Sequence, residues 1–191
     1  VCPQDERTPF RPKSPYGAAK LYAHNLIGVY RDAFGLRCAS AILFNHESVR
    51  RTTAFVTRKI ARAAAAISLG LESRFSLGSV DAQRDWGYAP EYADAMVRMA
   101  LQDEPKDYVL ATGRLTSVAG ACEICFNYVG LDYREHLELS AALQRPVETA
   151  NVCGNARAIQ ADLGWKAEKP IKAVLEEMVE HDLAALRAAA V

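Results

Sequence analysis

The sequence has no glycine-rich phosphate turn. Neither Gly-x-Gly-x-x-Gly nor Gly-x-x-Gly-x-x-Gly occurs in its 191 residues. Such a turn lets a helix N-terminus receive a dinucleotide pyrophosphate, so a complete dinucleotide-binding half is not expected within these residues. An excess of charge is also missing: 23 basic residues balance 23 acidic ones, with a pI near 7.0. That balance argues against a nucleic-acid or membrane-surface partner. No apolar run reaches the length of a membrane span, and Val-Cys-Pro-Gln-Asp-Glu-Arg at the start does not read as a signal peptide. There is no internal repeat and no low-complexity linker.

Cysteine is sparse and unpatterned. Cys2, Cys38, Cys122, Cys125 and Cys153 are odd in number and do not form a disulfide framework, which points to a reducing cytoplasm. Cys122-x-x-Cys125 resembles half of a zinc or redox site. It lies in an apolar helical pattern without a second pair or clustered histidines, so buried core thiols and no metal site are expected.

What is present is an alternation of helices and short apolar strands, and hence an α/β fold. Ser14 and Pro15 mark a helix start, and Gly35 a stop after Phe34. Leu21, Leu26, Ile27, Tyr30 and Phe34 predict a buried stripe on that helix. Strands are expected at residues 37–44, 73–77, 107–111 and 136–139. Helices are expected from about Ala54 to Leu69, Pro90 to Gln102, Ser117 to Val129, Asn155 to Leu163, and from Pro170 onward. Residues 45–53 and 78–88 read as loops. The first of these leaves the carboxyl end of a strand, where open α/β sheets bind ligands.

The chemistry-bearing stretch is Ser14-Pro15-Tyr16-Gly17-Ala18-Ala19-Lys20. Tyr16 and Lys20 are one helical turn apart and share a face. A neighbouring cation favours a phenolate. Such a pair can take a proton from a sugar hydroxyl while a hydride leaves the same carbon. The small residues between them let a cofactor approach closely.

This segment resembles the catalytic helix of the extended short-chain dehydrogenase/reductases that act on nucleotide sugars. Other stretches narrow the resemblance to the GDP-mannose 4,6-dehydratase family. They are Leu43-Phe44-Asn45-His46-Glu47-Ser48 with Arg50-Arg51, Phe55-Val56-Thr57-Arg58-Lys59-Ile60, Leu77-Gly78-Ser79-Val80-Asp81-Ala82-Gln83-Arg84-Asp85-Trp86-Gly87, and Arg145-Pro146-x-Glu148 with Leu163-Gly164-Trp165 downstream. Tyr88 stands where the family usually has histidine, and residues 151–158 depart from its C-terminal run.

The resemblance implies a partial Rossmann-like fold with a small α+β C-terminal substrate-binding lobe. Residues 1–54 and 90–115 would belong mainly to the Rossmann side, and 55–89 and 116–191 mainly to the lobe. It implies a hydro-lyase acting on GDP-mannose with internally recycled NADP, in a cytoplasmic homo-oligomer. Tyr16 and Lys20 would be catalytic, and together with His46 and Arg51 would contact NADP. Asn45, Val56, Lys59, Arg84, Arg145 and Glu148 would bind the nucleotide sugar. Lysine and arginine there suit phosphates, and Glu148 suits ribose hydroxyls or guanine. The family's Ser/Thr and Glu lie a little over twenty residues before its tyrosine, which here would be ahead of Val1. The chain is therefore expected to correspond to a C-terminal half, with little catalysis and poor NADP binding alone. Two alternatives stay open: another nucleotide-sugar epimerase or dehydratase of the same fold, or a non-catalytic interaction module.

Overall fold

The computed structural model describes residues 2–144 and 151–189. Helix α1 (Pro15–Phe34) begins where expected. The Ser14 hydroxyl accepts a hydrogen bond from the Gly17 N–H at 3.0 Å, Pro15 occupies the first helical position, and Gly35 ends the helix at φ +62°. Its expected buried stripe is not buried. No α1 residue is fully covered, and Tyr30 and Phe34 are exposed. The 3.6-residue periodicity is present, but the described residues place no surface over it. Instead, α1 is held by polar contacts: Arg31 Nη2 donates to Asp107 at 2.5 Å, and Arg31 Nε to the Cys38 carbonyl at 3.0 Å.

After α1 come β1 (Ala41–Leu43), β2 (Asn45–Glu47), α2 (Val56–Ser68), β3 (Phe75–Leu77), β4 (Gln83–Arg84), β5 (Trp86–Tyr88), α3 (Ala89–Ala100), β6 (Tyr108–Leu110), β7 (Thr116–Ser117), α4 (Val118–Tyr128), β8 (Leu137–Leu139), α5 (Arg157–Leu163) and α6 (Ile171–Ala189). Short 3₁₀ turns occupy Tyr133–Glu135 and Ala141–Leu143. The pairs β1–β6, β2–β5 and β3–β8 are parallel, and β4–β7 is antiparallel. Two expected loops are thus partly strand. Asn45–Glu47 pairs with Trp86–Tyr88, and Gln83–Arg84 with Thr116–Ser117. The polar sequence Asn-His-Glu carries no strand pattern; its pairing comes from the neighbouring chain segment.

Two apolar clusters hold these elements. In the larger, α2 packs against α4 and α6. The run Ala63–Ala66 keeps that face of α2 small, so Val174, Leu175, Met178 and Val179 of α6 approach closely and are buried. Each large side chain buried in this way contributes about 1.5–3 kcal/mol. Cys122 and Cys125 lie in this core as expected. The smaller cluster joins Tyr92, Ala95 and Met99 of α3 to Tyr108, Leu110, Ile159 and Trp165. Among the described residues, no helix is long and apolar enough to cross a membrane.

One polar contact crosses the larger core: Arg58 Nη2 donates to Asp182 Oδ1 at 2.7 Å. Burial pushes the Asp182 carboxyl up, against the pull of Arg58. The basic start of α2 is therefore divided, with Arg58 serving the fold and Lys59 remaining at the surface of a cavity.

Candidate functional site

The site forms where the chain turns from β2 into α2. Two turns are closed by Arg51 N to Ser48 O at 3.0 Å and Phe55 N to Thr52 O at 3.1 Å, and they leave Arg51 beside Glu47 and Phe55 against Arg51. Strand alternation sends Asn45 and Glu47 to one side and His46 to the other. Accordingly Asn45 and Glu47 line a cavity of about 540 Å³, and His46 does not.

The start of α2 forms one wall through Ala54, Phe55, Val56, Thr57 and Lys59. No side chain caps this helix, and its first turn holds no acid. Its first backbone N–H groups therefore have no intrahelical partner and favour an anion. The opposite wall comes from Leu77, Gly78, Ala82, Arg84, Trp86, Val118 and Leu143. Gly78 permits this closure, since a Cβ there would lie 2.3 Å from the Leu143 carbonyl oxygen. The lining carries Arg51, Lys59 and Arg84 against one carboxylate, Glu47. Cations and helix N–H groups combined with apolar lining suit a ligand bearing phosphates.

Glu47 is 1% exposed. Its Oε2 accepts from Thr57 Oγ1 at 2.7 Å and lies 3.2 Å from Arg51 Nε. Burial pushes its carboxyl up, and the Thr57 hydrogen bond and the Arg51 charge partly offset that. The Arg51 guanidinium stacks on Phe55 with Cζ 3.4 Å from the ring centroid.

Asp85, between β4 and β5, ties that segment to the turn after β6 and to Gly154. Its Oδ1 accepts from Thr112 N at 2.9 Å and Thr112 Oγ1 at 2.6 Å. Its Oδ2 accepts from Gly113 N at 2.9 Å and Gly154 N at 3.1 Å. Arg84 and Trp86, on either side of Asp85 in sequence, line the cavity. In the fold Asp85 is buried and bonded to backbone.

Of the sequence-predicted residues, the cavity gathers Asn45, Arg51, Val56, Lys59 and Arg84. Tyr16 and Lys20 stand outside its lining, on the exposed surface of α1, with Lys20 Nζ 5.6 Å from the Tyr16 ring centroid. His46 donates through Nδ1 to the Phe44 carbonyl at 3.0 Å and stacks on Tyr92 at 5.2 Å between centroids. Arg145 and Glu148 lie outside the described residues. Sequence reasoning missed Glu47, Phe55 and Thr57. The sequence traces of Glu47 are its place four residues before Arg51 and its position inside the Leu43–Ser48 stretch.

Comparisons with known proteins match nearly the whole chain. The profile described as GDP-mannose 4,6 dehydratase matches residues 1–178. GDP-mannose 4,6 dehydratase 1 of Arabidopsis thaliana is 44% identical over 95% of this chain and 50% of its own length. The GDP-mannose 4,6-dehydratase of Sinorhizobium fredii is 46% identical over 97% of this chain and 58% of its own. The human GDP-mannose 4,6 dehydratase is 40% identical over 97% and 54%. The chain thus spans about half the length of the curated relatives it matches. Among solved structures, RMD from Pseudomonas aeruginosa complexed with NADPH superposes with a TM-score of 0.89 at 24% identity, over 97% of this chain and 61% of that one. A Thermus thermophilus UDP-glucose 4-epimerase complexed with NAD gives 0.82 at 22% identity, over 95% and 58%. These likenesses show the fold: α/β, part of a Rossmann-like architecture.

Proposed function

The chain belongs to the GDP-mannose 4,6-dehydratase family, and on that premise we propose that it supplies the nucleotide-sugar site and the proton-transferring tyrosine of a hydro-lyase. The reaction converts GDP-mannose to GDP-4-keto-6-deoxymannose with loss of water. The observation that carries this reading is the cavity at the start of α2, where Asn45, Val56, Lys59 and Arg84 converge. Lys59, Arg84 and the free N–H groups of α2 take the diphosphate. Asn45 offers an amide to phosphate or sugar, and the apolar wall of Leu77, Trp86 and Val118 receives the less polar faces of the ligand.

A nicotinamide dinucleotide is the implied cofactor, and NADP our specific reading. The chemistry of the exposed residues on α1 fits its nicotinamide-ribose end. Tyr16 is 73% exposed, Lys20 stands beside it, and only small residues separate them. When bound, the cofactor would supply the hydride-accepting and hydride-returning chemistry. Tyr16 takes the proton of the 4-hydroxyl, and Lys20 holds a positive charge next to the phenol and donates to ribose hydroxyls. Arg51 and His46 complete the contacts the family pattern assigns to the cofactor. We further read the protein as a cytoplasmic homo-oligomer. The free cysteines support a reducing compartment, and the uncovered Tyr22, Val29 and Phe34 on α1 support an assembly that covers that helix.

The test is product analysis of the protein purified from its natural source. With GDP-mannose, a 4-keto-6-deoxy product is expected, and Tyr16→Phe lowers turnover about 10²–10⁴-fold. Turnover of a UDP- or dTDP-sugar in preference to GDP-mannose would overturn the substrate assignment. Unchanged turnover in Tyr16→Phe would overturn the catalytic one.

A further inference from the structure

We propose that Tyr92 is a positioning residue for His46. Its ring and the Phe44 carbonyl fix the imidazole so that Nε2 alone meets the dinucleotide, as the acceptor of a hydrogen bond from one of its O–H or N–H groups. This rests on the reading that His46 contacts the cofactor. It goes beyond that reading by assigning the tautomer, the kind of ligand group and the residue that holds the imidazole in place.

His46 sits in β2 opposite Gly87 of β5. Paired residues of a parallel ladder share a face, so an ordinary side chain at position 87 would lie beside the imidazole. Glycine leaves that slot empty, and the Tyr92 ring of α3 fills it. A Cβ on Gly87 would fall 2.4 Å from the Tyr92 ring and 2.6 Å from its hydroxyl. In the slot the Tyr92 ring stacks on His46, with centroids 5.2 Å apart and planes inclined at 29°. Tyr92 is itself fixed: it is buried, and Trp165 meets it edge-on at 5.7 Å. Trp165 in turn is tied to α3, its Nε1 donating to the Glu91 carbonyl at 2.9 Å. The tautomer follows from the other contact. His46 Nδ1 lies 3.0 Å from the Phe44 carbonyl oxygen. A carbonyl only accepts, so Nδ1 carries the proton and Nε2 of the neutral ring keeps its lone pair. Among the described residues Nε2 has no hydrogen-bond partner, and His46 is only half-buried.

A role confined to packing explains less. An aliphatic side chain would fill the slot as well, whereas a flat ring lies along another ring. Glycine inside a strand weakens it and marks a close approach, here the approach of Tyr92 to His46. The Tyr92 hydroxyl takes no part. It is buried without a hydrogen-bond partner among the described residues, so Tyr92→Phe keeps the stack and removes only an unpaired group. What His46 gains is order before the ligand arrives. Immobilising a free side chain on binding lowers affinity roughly 2–10-fold, and an imidazole held in advance avoids that loss.

The experiment uses the protein as produced in its natural source, labelled with 15N-histidine, and has two readouts. The first is the NMR spectrum of the ring nitrogens at about pH 8.5, above the ordinary histidine value of about 6.5. His46 is assigned by its loss in His46→Gln. Wild type and Tyr92→Phe are expected to show Nδ1 protonated and Nε2 unprotonated, with and without NADP. Tyr92→Met is expected to shift His46 toward a mixture of the two tautomers. The second readout is calorimetric binding of NADP. Tyr92→Met is expected to weaken it about 2–10-fold, Tyr92→Phe to bind as wild type does, and Tyr92→Met to add nothing in a His46→Gln background. An Nε2–H tautomer in the wild type would overturn the proposal, and so would an imidazolium in its NADP complex. Neither depends on Tyr92→Met folding. Additive losses in the double variant would also overturn it, because Tyr92 would then act independently of His46. Unchanged NADP affinity in His46→Gln would instead overturn the cofactor reading of His46 and the ligand part of the proposal with it. The ring spectrum of the free protein still decides whether Tyr92 holds the imidazole.

Discussion

Asp85 provides a sharp test of how the site is held. Its carboxylate accepts four hydrogen bonds, three from backbone N–H groups of Thr112, Gly113 and Gly154 and one from the Thr112 hydroxyl. In Asp85→Ala all four donors lose their partner. Gly154 is buried, so its N–H bears most of a desolvation penalty of about 1–3 kcal/mol. The two Thr112 donors and the Gly113 N–H are reached by water, and each of these three bonds loses roughly its 0.5–1.5 kcal/mol net value. The sum is about 2.5–7.5 kcal/mol. For a chain of this length that is a fall in Tm of about 5–30 °C. Asp85→Asn preserves shape but replaces one acceptor oxygen with an NH2 donor, which then faces N–H groups. It is expected to lose at least about 1–2 kcal/mol despite being nearly isosteric. Urea unfolding of the three proteins measures these differences. Asp85→Asn within about 0.5 kcal/mol of wild type would refute the reasoning, since acceptor count would then not matter. GDP binding should weaken in both variants, because Arg84 and Trp86 flank Asp85 and line the cavity.

Three further outcomes are expected. Gly154→Ala places a Cβ 2.2 Å from Ala111 Cβ and 2.8 Å from the Phe44 ring, so thermal melting should show a loss of about 1–3 kcal/mol from overpacking. Thiol titration of the native protein should label exposed Cys2 first and half-buried Cys38 more slowly. Buried Cys122, Cys125 and Cys153 should react only after denaturation, since burial pushes Cys122 up to about 12 and Cys153 up to about 11. Stability should also respond to pH through Glu47, whose carboxyl is pushed above its ordinary value of 4.5 by burial. A raised folded value means the native state holds the proton longer than the unfolded chain. Its contribution is fully present below the ordinary value and is lost as pH rises through the folded one. Wild type should therefore lose stability relative to Glu47→Gln as pH rises through that window, read by urea unfolding at a series of pH values; a rise would mean that Arg51 outweighs burial.

Local signals were legible where local physics decides. Ser14, Pro15 and Gly35 set both ends of α1 because capping is a contact between near neighbours. Ser117 set the start of α4 in the same way, accepting from Gly120 N at 2.9 Å. The tyrosine–lysine pair was legible from its spacing, and Asn45, Val56, Lys59 and Arg84, which line the cavity, from motif resemblance. Less legible was the pairing of Asn45–Glu47 with Trp86–Tyr88, because strand pairing of polar segments depends on a partner some forty residues away in the chain.

By itself the sequence determined the α/β alternation, the helix boundaries and the chemistry available at each motif, all of which follow from periodicity, caps and residue type. Only the tertiary structure decided which motif residues share a cavity. It separated Arg58, committed to Asp182 in the core, from Lys59, which lines the site. It also made Asp85 the acceptor of four hydrogen bonds and set Glu47 beside Arg51. The physical reason is the same in each case. Desolvation and hydrogen-bond partnership belong to the surroundings of a side chain, and those surroundings are assembled from segments far apart in sequence.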